Sequence, residues 1–250
     1  MIVIANLDLQ ITLRCNASCR NCIKFCNKES ITGLDYSDSD MTLGQIDEVV
    51  RQIKSLQNTT MINCIVVTGG EPLLHPQIVE IMQKLEELRT SGHVKVLWIN
   101  SNLIIPAPPV LQQYIVNWSE PKDNDKKHHV SFLHPADFST HHEKQTYQGC
   151  CHYRKPTLVL NYLGCSMCCA GDAYIRLFGL EDLLLDHIAE DETEYTKNMD
   201  MICQHCPYGR DDELPLERDV GCPVSEIYLQ EAAKNKNGRR ITKRFPSLGE

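Results

Sequence analysis

The fold that this sequence predicts is α/β, a parallel sheet with crossover helices. Three observations carry it: an alternating run at residues 7 to 13, a short β-branched apolar run at 64 to 68, and a helical periodicity after each. The first run, LDLQITL, alternates apolar and polar side chains as a half-buried strand does, and it leads straight into Cys15. Thr42 and Gln45 have capping-box spacing, and Leu43, Ile46, Val49, Val50, Ile53 and Leu56 then recur at helical spacing.

Cys64, Ile65, Val66, Val67 and Thr68 predict a second, buried strand that stops at Gly69-Gly70. Pro76 suits the first turn of a second helix, whose face is Ile78, Ile81, Met82, Leu85 and Leu88 and whose stop is Gly92. Val94 to Ile99 form a third strand, and Val130 to Leu133 and Thr157 to Leu160 are weaker strand candidates. This repetition predicts a complete or partial (β/α) barrel or an open doubly wound sheet. Either architecture gathers its chemistry at the C-terminal ends of the strands, where Cys15, Gly69-Gly70-Glu71 and Asn100-Ser101-Asn102 all fall.

The bulk properties set bounds. The chain has 250 residues, 42% of them hydrophobic, so it can bury a full core. A formal charge of -8 argues against a general nucleic-acid-binding surface. With no long apolar run and no signal-peptide pattern at MIVIANLDLQ, no membrane contact and a cytoplasmic location are expected. In that reducing setting thirteen cysteines point to metal ligation rather than disulfides.

Cys15, Cys19 and Cys22 have the spacing C-x3-C-x2-C in one loop, which suits an iron–sulfur cluster or zinc, with Cys26 near enough to be a fourth zinc ligand. After the second strand comes Thr68-Gly69-Gly70-Glu71-Pro72. The two motifs in this order resemble the radical S-adenosylmethionine (radical SAM) superfamily, and the likeness runs over residues 7 to 102.

The resemblance implies a partial (β/α) barrel radical SAM domain over residues 1 to 149. It also implies a [4Fe–4S] cluster on Cys15, Cys19 and Cys22 whose fourth iron is left open for S-adenosylmethionine. Gly69 and Gly70 would then let the backbone approach the methionine end, Glu71 would accept from its ammonium, and Asn100, Ser101 and Asn102 would face the ribose. Cys26 stays off the cluster in this reading, because a fourth thiolate would block the open iron. The residue before the third cysteine is usually aromatic in the family; here it is Asn21, with Phe25 after Cys22, so adenine packing would differ.

Eight cysteines crowd the last part of the chain: Cys150, Cys151, Cys165, Cys168, Cys169, Cys203, Cys206 and Cys222. C-x13-G-x4-C from Cys150 to Cys169, followed by the pair Cys203 and Cys206, resembles the SPASM/twitch extension that binds an auxiliary [4Fe–4S] cluster. The small cysteine-rich extension is therefore expected over residues 150 to 250. The favoured ligands are Cys150, Cys169, Cys203 and Cys206, with Cys151 and Cys168 as alternatives because neighbouring residues point opposite ways. Asp212 stands where a further cysteine would follow, so a second auxiliary cluster is not expected. Zinc on four cysteines is the competing reading.

His128, His129, His134, His141, His142 and His152 read as loop residues without a ligand role, and the basic stretch Lys234 to Arg244 as a solvated tail. Gly171-Asp172 and Arg176 read as packing or surface salt-bridging residues. The resemblance implies an oxidoreductase or isomerase that oxidises, isomerises or crosslinks a peptide or sugar-type small molecule, fed by a reductant such as flavodoxin or ferredoxin. The alternatives are modification of a nucleoside or nucleic-acid base, and a non-catalytic iron–sulfur carrier or zinc-stapled binding module.

Overall fold

The computed structural model describes residues 2–17, 19, 22–116, 156–206, 224–237, 241 and 243–249. The expected strand at Val130 to Leu133, the six histidines between 128 and 152, Asn21, Asp212, Cys150, Cys151 and Cys222 lie outside these residues.

Five strands form one sheet in the order β3-β2-β1-β4-β5. β1 is Ile2–Thr12, β2 Thr60–Gly69, β3 Val94–Ile99, β4 Thr157–Asn161 and β5 Gly164–Ser166. The first four are mutually parallel, and β5 folds back antiparallel on β4. Among the described residues the sheet is open. The expected domain boundary at 149 to 150 lies outside them, and β4, beyond it, pairs directly with β1 in the same sheet.

The helices are α1 (Glu29–Thr32), α2 (Leu43–Ser55), α3 (Ile78–Thr90), α4 (Cys169–Phe178), α5 (Glu192–Thr196), α6 (Met199–Cys203) and α7 (Glu226–Lys236). α2 and α3 are the crossovers to β2 and β3. Their apolar stripes, Ile46, Val49 and Ile53 with Ile81, Leu85 and Leu88, are buried in one core with Leu7, Leu9 and Ile11 of β1. None of the helices among the described residues is long and apolar enough to cross a membrane.

The capping box at α2 forms as its spacing predicts: Gln45 N donates to Thr42 Oγ1 at 3.1 Å and Thr42 N donates to Gln45 Oε1 at 3.0 Å. Thr42→Ala is expected to cost about 1 kcal/mol, the usual value of an N-cap, read as a lower urea midpoint at unchanged slope. α3 begins later than Pro76 suggests, because His75 holds the preceding turn: its ring accepts from Gln77 N at 3.1 Å and meets Met41 O at 3.0 Å.

The C-terminal segment is not a solvated tail. Phe245 is buried, Phe245 N donates to Tyr162 O at 2.9 Å, and Lys243 Nζ donates to Leu184 O at 2.6 Å. Gln45 Nε2 gives hydrogen bonds to both Tyr162 O and Phe245 O, tying this segment to the start of α2. Its apolar and aromatic contacts decide its place, whereas the charge run alone suggested solvent.

β1 has β2 on one side and β4 on the other. The C-terminal end of β1 is thus flanked by strands on both sides. Alternation then gives the two faces of β1 different characters: Leu7, Leu9 and Ile11 lie in the core, whereas Asp8 and Gln10 lie on the opposite face. Only the apolar face is covered by the crossover helices, and α4 reaches the polar one, where Cys169 Sγ donates to Asp8 Oδ2 at 2.7 Å.

Candidate active site at the strand ends

The loop after β1 carries Cys15, Cys19 and Cys22, all partly buried. Several contacts hold it against the sheet. Asn27, itself left-handed at φ 51, donates to Ala17 O at 3.1 Å and also to Cys15 O. Lys24 Nζ donates to Thr68 Oγ1 at 2.7 Å and pairs with Asp8 Oδ2 at 3.3 Å, and Arg176 donates to Lys24 O at 3.0 Å. Phe25, left-handed at φ 57, is fully buried edge-on to Tyr174 and Tyr228.

The three thiols are near enough to influence one another. Burial first, and then the charges of Cys22 and Cys19, push the Cys15 thiol up. Cys22 falls to about 6, chiefly because the Cys26 thiol donates to it, and Cys26 rises well above the ordinary thiol value for the same reason. Cys26 thus stands beside the loop as a partner of Cys22. As they stand, no three Cys, His, Asp or Glu side chains among the described residues close into a metal-binding group. The donor set still suits an iron–sulfur cluster: three soft sulfurs from one loop, one of them already tuned toward thiolate.

The glycine pair has a steric reason within the chain itself. A Cβ on Gly70 would lie 2.2 Å from Arg14 O and 2.6 Å from Arg14 C, and a Cβ on Gly69 (φ +156) would lie 2.1 Å from Thr12 O. Gly70 N donates to Thr12 O at 2.9 Å and Glu71 N to Arg14 O at 2.8 Å. The glycines let the end of β2 press against the root of the cysteine loop, main chain on main chain.

Glu71 has partners within the chain. Its side chain is wholly buried, and its carboxylate accepts from Leu73 N at 3.0 Å, Ser101 Oγ at 2.8 Å and Asn102 N at 2.8 Å. It therefore fastens the end of β2 to the segment after β3. Glu71→Gln would turn an N–H toward other donors; an expected loss of about 1 to 3 kcal/mol would be read by urea unfolding.

That fastening brings Asn102 to the cysteine loop: Asn102 Nδ2 donates to Asn16 Oδ1 at 2.8 Å and lies 4.0 Å from Cys15 Sγ. Ser101 is buried by its bond to Glu71, and Asn100 is exposed with its N–H paired to Val67 O. Of the three polar residues expected at a ribose, Asn102 is the one the structure brings to the loop.

A second group of thiols sits at the start of α4. Cys168 Sγ is buried and accepts from Gly171 N at 3.1 Å, capping the helix. Burial, and then the charge of Cys206, with Cys169 and Cys203 contributing, push Cys168 well up. It is Cys168 that feels the C-x2-C pair most, while Cys169 turns to Asp8 on the sheet, where burial and then the Asp8 charge raise its thiol. Cys168 and Cys169 thus differ in their surroundings, because adjacent residues at a helix start diverge. Cys150 lies outside the described residues.

Asp172 and Arg176 are buried, not surface residues. They form an ion pair at 2.9 Å, both side chains fully enclosed. Asn161 Nδ2 adds a bond to Asp172 Oδ1 at 2.7 Å, and Arg176 reaches Tyr36 Oη at 2.7 Å. No motif announced the polar layer Asp8, Gln10, Lys24 and Asn161; its only signal was the alternation of LDLQITL.

A mainly parallel sheet with a tricysteine loop after its central strand, and a glycine pair pressed against the root of that loop, places the chain among α/β proteins. Residues 9–115 match the Radical SAM superfamily. The matched stretch runs from Leu9 in β1 through the segment after β3.

Proposed function

We propose that the protein is a radical S-adenosylmethionine enzyme acting on a peptide or a sugar-type small molecule, with a second metal centre in a twitch-like C-terminal region. The observation that carries the reading is the convergence of the Cys15–Cys22 loop, the Gly69-Gly70 main chain and Asn102 at one end of the sheet. Cys15, Cys19 and Cys22 would hold a [4Fe–4S] cluster. When bound, such a cluster would supply the one-electron reduction that cleaves S-adenosylmethionine and so the means of abstracting hydrogen from substrate.

The chain's own residues do the rest. Asn27, Lys24 and Glu71 fix the loop and the strand ends around it, and Asn102, beside Cys15, would present its amide to the cofactor. Cys168, Cys203 and Cys206, with Cys150 or Cys151, would hold the second centre, an auxiliary [4Fe–4S] cluster. A one-electron donor of the flavodoxin or ferredoxin class would supply the reductant.

Anaerobic reconstitution with iron and sulfide, followed by dithionite and S-adenosylmethionine, is expected to yield 5′-deoxyadenosine, and Cys19→Ala to abolish it. Release of S-adenosylhomocysteine instead, or zinc in place of iron, overturns the reading. Cys168→Ser is expected to lower iron content, and Cys169→Ser to leave it unchanged.

A further inference from the structure

Cys26 is a thiol that the chain holds beside the third cysteine of the loop without needing it as a fourth ligand. It is 2% exposed, and its S–H donates to the sulfur of Cys22, to which the main-chain N–H groups of Lys24 and Cys26 also turn. Its other acceptor, Lys24 O at 3.9 Å, is already engaged by Arg176 Nη2 at 3.0 Å. The Lys24 ammonium is committed elsewhere, to Thr68 Oγ1 at 2.7 Å and Asp8 Oδ2 at 3.3 Å.

The backbone around Cys26 is built for that contact. Cys26 stands between two left-handed residues, Phe25 at φ 57 and Asn27 at φ 51. Asparagine tolerates this conformation, whereas a bulky side chain rarely adopts it, and such strain persists only where the surroundings over-determine it. They do so here. Phe25 is locked edge-on to Tyr174 and Tyr228 at 5.8 and 6.3 Å, and its N–H donates to Cys22 O at 3.0 Å. The Asn27 amide holds Cys15 O and Ala17 O. The chain thus doubles back after Cys22 and returns a thiol to it.

The use of that thiol follows from the charge on an iron–sulfur cluster. An added electron spreads negative charge onto the sulfurs, so hydrogen bonds to them favour the reduced state. Burial acts the other way, because a dry site disfavours the added charge. Cys22 packs against the hydrophobic core, and a donor to its sulfur offsets that burial.

We infer that Cys26 tunes the cluster on Cys15, Cys19 and Cys22, its S–H bond to Cys22 raising the reduction potential so that a flavodoxin- or ferredoxin-class donor reduces it more readily. The cluster gains one electron from that donor and no proton moves; the S–H bond stays intact. This deepens the proposed function and rests on it.

The measurement is made on the cluster and not on turnover. Anaerobically reconstituted wild type, Cys26→Ala and Cys26→Ser are titrated with dithionite and redox mediators without S-adenosylmethionine, and the reduced cluster is followed by electron paramagnetic resonance. Cys26→Ala is expected to keep its iron and sulfide and to show about tenfold less reduced cluster at equal poise, a potential about 59 mV more negative. Water should not replace the lost donor, because the space left by the sulfur is enclosed and small. Cys26→Ser keeps an O–H donor and should recover most of the shift. In D2O the resonance Raman Fe–S bands of the wild type should move, and those of Cys26→Ala should move less. Equal potentials in the wild type and Cys26→Ala, a Cys26→Ser potential no higher than that of Cys26→Ala, or equal isotope shifts overturn the assignment. Loss of iron in Cys26→Ala overturns it too, since Cys26 would then support the cluster and not tune it. Absence of an iron–sulfur cluster in the reconstituted wild type overturns the radical SAM reading instead.

Discussion

Gly70→Ala is expected to cost about 3 kcal/mol or more, the upper end of what an overpacked site loses. The alanine methyl would meet Arg14 O at 2.2 Å, Arg14 C at 2.6 Å and Leu13 O at 2.7 Å. All three are main-chain atoms, so no rotamer change relieves the clash; the end of β2 and the root of the cysteine loop must part. Urea unfolding should show the lost stability, and reconstitution should show reduced iron uptake, since the same main chain carries Cys15. Gly92→Ala separates sterics from backbone conformation. Gly92 has φ +81, and a methyl added there meets no described atom within 4 Å, so its loss should stay near 1 kcal/mol. If the two variants lose equally, the close approach at Gly70 is not what that glycine is for.

The second large effect is expected at Arg176. Its guanidinium is fully enclosed and bonds Asp172, Tyr36 Oη and Lys24 O at 2.9, 2.7 and 3.0 Å. Arg176→Met fills most of the volume but leaves the Asp172 carboxylate buried without its cation, which costs about 3 to 5 kcal/mol. The double change Arg176→Met with Asp172→Leu removes the orphaned charge and should recover much of that loss. A thermodynamic cycle on the two sites measures the coupling. Additive losses would mean that the pair is not stabilised as a unit. The consequence reaches the cysteine loop, because Arg176 holds the carbonyl of Lys24, two residues after Cys22.

Much of this protein was legible in its sequence, and for local reasons. Strand alternation in LDLQITL, the β-branched run ending at Gly69-Gly70, and the Thr42–Gln45 capping box each depend on residues a few positions apart. So does the tricysteine loop, whose spacing and position after the first strand are those of a ligand loop. Other features depend on partners far away in the chain. Glu71 looked like a ligand group, yet Ser101 and Asn102, some thirty residues on, occupy it. The glycine pair looked like room for a cofactor, and the nearest atoms are those of the preceding strand's exit. The basic C-terminal stretch looked solvated, and Tyr162, Gln45 and Leu184 hold it.

What the sequence determined by itself was the α/β repetition and the sulfur-rich loop at the end of the first strand, because hydrophobic period and ligand spacing are properties of contiguous residues. Only the tertiary structure decided that Cys168 caps α4 and that Cys169 faces Asp8, since the direction of two adjacent side chains is set by what packs around the start of α4. The same holds for the polar face of β1: alternation placed Asp8 and Gln10 on one side, but only the packing of Lys24 and Cys169 against Asp8 made it a buried polar layer.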